Sequence, residues 1–223
     1  QGFPRSREVS KGTVQNATTR FNYSHPNLFT AGWNSNKTQY LYRAADLRAQ
    51  GMTAGQISSL SFELRVTNGV SPVFNNFSIR ISCTGKSDLT TTFESVQNEV
   101  FNSKPVVITS GWNNFSFDNS YNWDGTSNLV VEICWDNGTQ TSFAHHAMLY
   151  SNVSYDAANQ YYNRFGTGSS CNQLNAWNAG FNPYRFLPNT RFEVCEGVNP
   201  GGYKFQWDPV STGNFVSASN QQN

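Results

Sequence analysis

Few side chains in this 223-residue chain are spaced for catalysis or for metal binding. A serine hydrolase of the nucleophile-elbow type needs Gly-x-Ser-x-Gly, and a zinc protease needs His-Glu-x-x-His; neither occurs. The fourteen carboxylates form no motif pair, although glycosidase carboxylates converge only in three dimensions. His145 and His146 are adjacent. Neighbouring residues of a strand point to opposite faces, so the two do not share a metal. These residues point to a chain without catalytic machinery of its own.

Oxygen donors suit calcium better than any other metal here. Asp118, Asp124 and Asp136 flank turn sequences and form a candidate calcium set. The competing expectation for Trp123-Asp124-Gly125-Thr126-Ser127-Asn128 is a plain turn. In that reading Asp124 and Asn128 bond neighbouring backbone amides and Gly125 supplies a positive φ.

The cysteines are Cys83, Cys134, Cys171 and Cys195, widely spaced and without a Cys-x-x-Cys pair, which argues against zinc. Four cysteines allow three disulfide connectivities. Cys134 ends an apolar strand and Cys171 lies in a polar loop, favouring Cys134–Cys171, with Cys83–Cys195 as the second bridge. Against that second bridge, Cys83 falls on the apolar side of its strand and Cys195 alternates with Arg191 and Glu193. Buried free thiols are the alternative.

Aromatic residues among amides mark a candidate ligand site. The region Tyr155–Tyr184 carries Tyr161, Tyr162, Arg164, Trp177 and Tyr184 among Asn, Gly and Ser, and Trp33 lies in an earlier polar stretch. Ring faces suit sugars, and Asn, Gln and Arg bond hydroxyls. The competing expectation is that the rings pack inward and pin a long loop.

The elements that must position these residues are strands. Leu60-Phe62-Leu64-Val66 and Phe77-Ile79-Ile81-Cys83 alternate with polar residues, as do Phe115-Phe117 and the stretch Arg191–Cys195. Leu129–Trp135 is the most apolar run and is expected to be central. Weaker strands are expected near 39–43, 106–109, 142–150 and 161–165. Thr67-Asn68-Gly69, Asp124-Gly125 and Asn137-Gly138 supply turns. Only Ala44–Gly51 suggests a helix, of one or two turns. Nine or ten strands in this pattern predict an all-β fold, an antiparallel jelly-roll-like β-sandwich, over residues 1–198. The linker Val198-Asn199-Pro200-Gly201-Gly202 then leads to Tyr203-Lys204-Phe205-Gln206-Trp207. A strand this late reads as the opening of a second, truncated domain over residues 199–223 or as a strand added to the first, with the boundary near residue 198.

Composition narrows the setting. Charged residues are 13% and aromatics 15%, and the formal net charge is +1. That balance belongs to extracellular β-proteins and offers no electrostatic footprint for nucleic acid or an anionic membrane. No apolar run is long enough to span a bilayer, and the start at Gln1 reads as an excised fragment or a mature terminus. Seven Asn-x-Ser/Thr sequons occur, at Asn16, Asn22, Asn36, Asn76, Asn114, Asn137 and Asn152. That count is near chance for so much Asn, Ser and Thr and does not argue for glycosylation.

Three stretches carry a resemblance. The first is Gln39-Tyr40-Leu41-Tyr42-Arg43-Ala44-Ala45-Asp46-Leu47, continuing through Gly51 and Gly55-Gln56-Ile57-Ser58-Ser59-Leu60-Ser61-Phe62. The second is Gly111-Trp112-Asn113-Asn114-Phe115-Ser116-Phe117. The third is Trp123-Asp124-Gly125-Thr126-Ser127-Asn128-Leu129-Val130-Val131-Glu132-Ile133-Cys134. Together they resemble a recurring module of secreted Bacteroidetes surface proteins, over about residues 10–196. The resemblance implies a β-sandwich unit of a large cell-surface adhesin from gliding-motility bacteria. Such a unit would be a non-catalytic binding or spacer module contacting a polysaccharide, a surface or a partner protein. The alternative it implies is an accessory carbohydrate-binding module of a secreted hydrolase. Trp207-Asp208-Pro209 in the tail is similar to the Trp-x-Pro stretch of PKD-like repeats, which implies that residues 199–223 are a linker and the first strand or strands of a truncated immunoglobulin-like (PKD-like) domain. The expected location is the bacterial cell surface, with no cofactor beyond calcium.

Overall fold

The structure, a computed structural model, describes residues 4–12, 14–15, 28–30, 32–66, 73–139, 146–164, 166, 168–176 and 183–196. Among these residues twelve strands form: β1 (Pro4–Ser10), β2 (Val14–Gln15), β3 (Ser35–Tyr42), β4 (Gly55–Val66), β5 (Val73–Thr84), β6 (Asn98–Val107), β7 (Gly111–Trp123), β8 (Asn128–Asp136), β9 (His146–Asn152), β10 (Ala158–Asn163), β11 (Phe186–Pro188) and β12 (Thr190–Glu196). One helix, α1 (Ala44–Ala49), and a 3-10 turn at Ser170–Asn172 join them.

All pairings are antiparallel and the strands divide into two sheets. The five-stranded sheet has the order β10-β3-β8-β5-β6. The seven-stranded sheet runs β1-β12-β4-β9-β11, with β7 paired to β4 and β2 to β9. From β6 to β11 each successive strand crosses to the opposite sheet, the jelly-roll way of connecting a sandwich.

The alternation read from the sequence becomes the core. Leu60, Phe62 and Leu64 of β4 and Phe192 and Val194 of β12 are buried, as are Leu129, Val131, Ile133 and Trp135 of β8. Rings bridge the sheets: Phe77 of β5 stacks on Phe115 of β7 at 5.1 Å, and Tyr42 of β3 meets Phe192 of β12 edge-on at 5.4 Å. Each such side chain contributes about 1.5–3 kcal/mol by leaving water.

The five-stranded sheet is covered on its outer face as well. Residues 85–97 cross it, burying Leu89, Phe93 and Val96, and strand-like bonds tie this crossing to residues 174–176. Beneath lies a buried ionic group: Lys37 Nζ sits 3.2 Å from Glu132, Arg80 approaches Glu132 at 3.6 Å, and Gln39 donates to Glu132 at 2.8 Å. This is why β8 reads as a near-continuous apolar run: it lies between β3 and β5 and is buried on both faces.

The first and third resembling stretches meet at one corner. Asp124 accepts the N–H groups of Thr126 and Ser127, and Gly125 takes a φ of +77°. A Cβ on Gly125 would also lie 2.9 Å from Ala54 Cβ, so the position needs glycine twice over. Trp123 Nε1 donates to Ser127 O, Arg48 donates to Gly125 O, and Asn128 accepts the N–H of Ala44 at the start of α1. Asn128 therefore reaches across to α1 and, through its amide N–H, to Lys86 O, rather than bonding its own neighbours. The conspicuous motif residues hold the scaffold together.

Cys134 and Cys171 are disulfide-bonded with Cα atoms 5.6 Å apart, pinning the 3-10 turn to β8. The expected Cys83–Cys195 bridge is absent, and both thiols are free. Cys83 lies on β5 of the smaller sheet. Cys195 shares the outward side of β12, in the larger sheet, with Arg191 and Glu193, while Phe192 and Val194 point inward. The expectation that Cys83 is buried also fails: it is the second-last residue of β5, at the end of the sheet, and is exposed. The second domain expected over 199–223 lies outside the described residues.

Candidate functional site

The aromatic residues singled out by the sequence are partly brought together, but largely as packing. Trp33 is 5% exposed and stacks flat on Tyr162 at 4.1 Å. Tyr184 is 7% exposed and its backbone exchanges hydrogen bonds with Ala158. Burial raises the Tyr184 phenol well above its ordinary range. Tyr161 and Arg164 are half-buried, on and just beyond β10. Trp177 lies outside the described residues. Trp33, Tyr162 and Tyr184 thus fasten loops to the sandwich.

The three aspartates serve separately. Asp118 accepts both Lys104 Nζ and the N–H of Asn102. Those bonds hold its carboxyl below the usual range. Asp124 caps its own turn, and Asp136 accepts the N–H of Gly138. Among the described residues no three His, Cys, Asp or Glu side chains gather as a metal site. His146 opens β9, and His145 lies outside the described residues.

A groove forms instead where the two sheets part at one edge. β6 is the edge strand of the smaller sheet, and β7 lies beside it from the larger one. β7 pairs regularly with β4 from Leu64↔Gly111 to Ser59↔Ser116, then resumes at Ile57↔Tyr121. Residues 117–120 therefore stand opposite the single residue Ser58, a large bulge that re-aims the strand. Asp118, within the bulge, clasps β6 through Asn102 and Lys104.

Beside this clasp is a cavity of about 550 Å³, lined by Gln97, Asn98, Glu99 and Val100 from one side and Asn119, Ser120, Tyr121 and Asn122 from the other. Its amides are exposed, Tyr121 is half-buried and Val100 forms a buried floor. The Tyr121 hydroxyl accepts the Cys83 N–H at 2.8 Å and donates to Cys83 Sγ at 3.2 Å, fixing the ring. Burial, then the neighbouring Cys83 thiol, raises this phenol above its ordinary range. Glu99 is the one carboxylate in the lining, and Arg80 holds it at 2.8 Å and 3.1 Å.

Chemically this is a set of neutral donors and acceptors on rigid strands. It can bind polar groups, and it lacks the second carboxylate that glycoside hydrolysis needs. Sequence reasoning missed this groove. Its residues are ordinary polar strand positions, and the bulge that gathers them depends on pairing between β4 and β7. The one local signal was Asp118-Asn119-Ser120, a polar run interrupting the series from Phe115 to Trp123. No protein-family model matches this chain, and comparison with curated proteins finds no significant match.

Proposed function

We propose that this chain is a non-catalytic binding module of a large secreted bacterial surface protein, and that it binds extracellular polysaccharide. The observation that carries this reading is the amide-lined groove on a strand scaffold, containing a single, already paired carboxylate. Polar side chains on rigid elements recognise hydroxyl-rich ligands with little ordering cost. The disulfide is compatible with an extracellular setting, and no described helix is long and apolar enough to cross a membrane. The resemblance to Bacteroidetes surface modules, adhesins in particular, points the same way.

The test is a glycan-array screen of the purified chain, with and without calcium, followed by chromatography of any retained glycan after prolonged incubation. The expected result is retention of at least one polysaccharide with no shortening of its chain. Silence across the array, or release of fragments, would overturn the reading.

A further inference from the structure

The groove between β6 and β7 carries a more specific statement, which rests on the binding reading above. We infer that it is a binding site for an uncharged glycan chain, held by the amides of Asn98, Asn119 and Asn122 against the ring of Tyr121.

Three observations support this. The first is charge. No lysine or arginine lines the cavity, and Glu99 already faces Arg80. Glu99 and Arg80 already neutralise each other, so an anionic sugar finds no unpaired cation here and a cationic ligand would have to compete with Arg80. A neutral polyol meets neither cost.

The second is the state of the amides. Among the described residues no hydrogen bond engages the side chains of Asn98, Asn119, Ser120 or Asn122, whereas most other asparagines of the sandwich are in use. Asn113 bonds the Thr109–Gly111 turn, Asn128 ties α1 to residue 86, and Asn189 joins Gly12 to Glu63. Each free carboxamide offers two donors and an acceptor, which matches vicinal hydroxyls.

The third is shape. A peptide adding to the sheet would need a regular open edge. Here the bulge at 117–120 interrupts β7, and Asp118 occupies the Asn102 N–H of β6. The lining includes one aromatic residue, Tyr121, anchored through its hydroxyl to Cys83. At about 550 Å³ the cavity lies within the range of small-molecule sites.

The experiment uses the full chain and soluble cello-, xylo-, laminari- and manno-oligosaccharides, with oligogalacturonate and heparin fragments as charged comparators. Binding is followed by calorimetry and by the side-chain amide signals in two-dimensional NMR. The Asn119→Ala/Asn122→Ala double variant tests the site. Both positions are exposed, so its melting temperature should match the parent. The expected result is that a neutral oligosaccharide shifts the amide signals of the groove, and that the double variant binds it about tenfold more weakly or worse. Retention of charged fragments alone would overturn the inference while leaving polysaccharide binding intact. So would equal binding of a neutral glycan by the variant. Failure of every glycan to bind would remove both.

Discussion

Asp124 shows how much one exposed side chain can fix. Its carboxylate accepts the Ser127 hydroxyl and the N–H groups of Ser127 and Thr126, and these bonds lower its pKa from 3.8 to about 2. Because the folded pKa is depressed, the carboxylate stabilises the fold fully above the unfolded value. That contribution fades as the pH falls from near 4 through about 2. Two measurements check it. The Asp124 carboxyl should titrate near 2 by NMR. The melting temperature of Asp124→Ala should lie below the parent's at neutral pH and converge on it as the medium becomes strongly acidic. This turn was legible in the sequence because Asp, Gly and Ser each act on neighbours only a few residues away. Asn128 was misjudged, because its partners at Ala44 and Lys86 are distant along the chain.

At the scale of elements, period-two alternation located the strands that bury one face, and the short helix ended where Gly51 takes a positive φ. Other elements were hidden. β1 has three exposed residues at its start and forms by pairing with β12. β6 was anticipated only at its end, because an edge strand over a clasp carries mixed polar residues. Inward packing of the rings was one of the two expectations, but the pairing of Trp33 with Tyr162 could not be read, since it joins the residues before β3 to β10. Trp33→Ala should therefore cost stability, about 3–5 kcal/mol for loss of a buried aromatic. Trp33→Phe should recover part of it, as judged by urea unfolding. Glycan affinity of the folded Phe variant should be unchanged, because the ring faces the sandwich rather than the groove.

For the whole molecule, the disulfide is the one covalent tie between the covering layer and the sheet. It closes a loop of 37 residues, so removing it in Cys134→Ser/Cys171→Ser should lower the unfolding free energy by about 3–4 kcal/mol. Denaturant titration checks the stability loss. Thiol titration of the denatured, unreduced parent should find two reactive groups, Cys83 and Cys195. Four would show the bridge absent, and none would show that a second bridge had formed.

The register of β1 on β12 has a mechanical meaning. Pro4, where the chain enters the sandwich, lies opposite Cys195, where it is about to leave, so entry and exit are roughly 5 Å apart, one strand spacing. In any longer chain, a unit strung this way would hang beside the line of the chain and add almost no length to it. Tension through these two points loads the β1–β12 ladder from one end, parting its hydrogen bonds in sequence rather than together. Under pull this sandwich is built to peel open like a zip, with the Cys134–Cys171 bridge holding back the 37-residue loop that it closes.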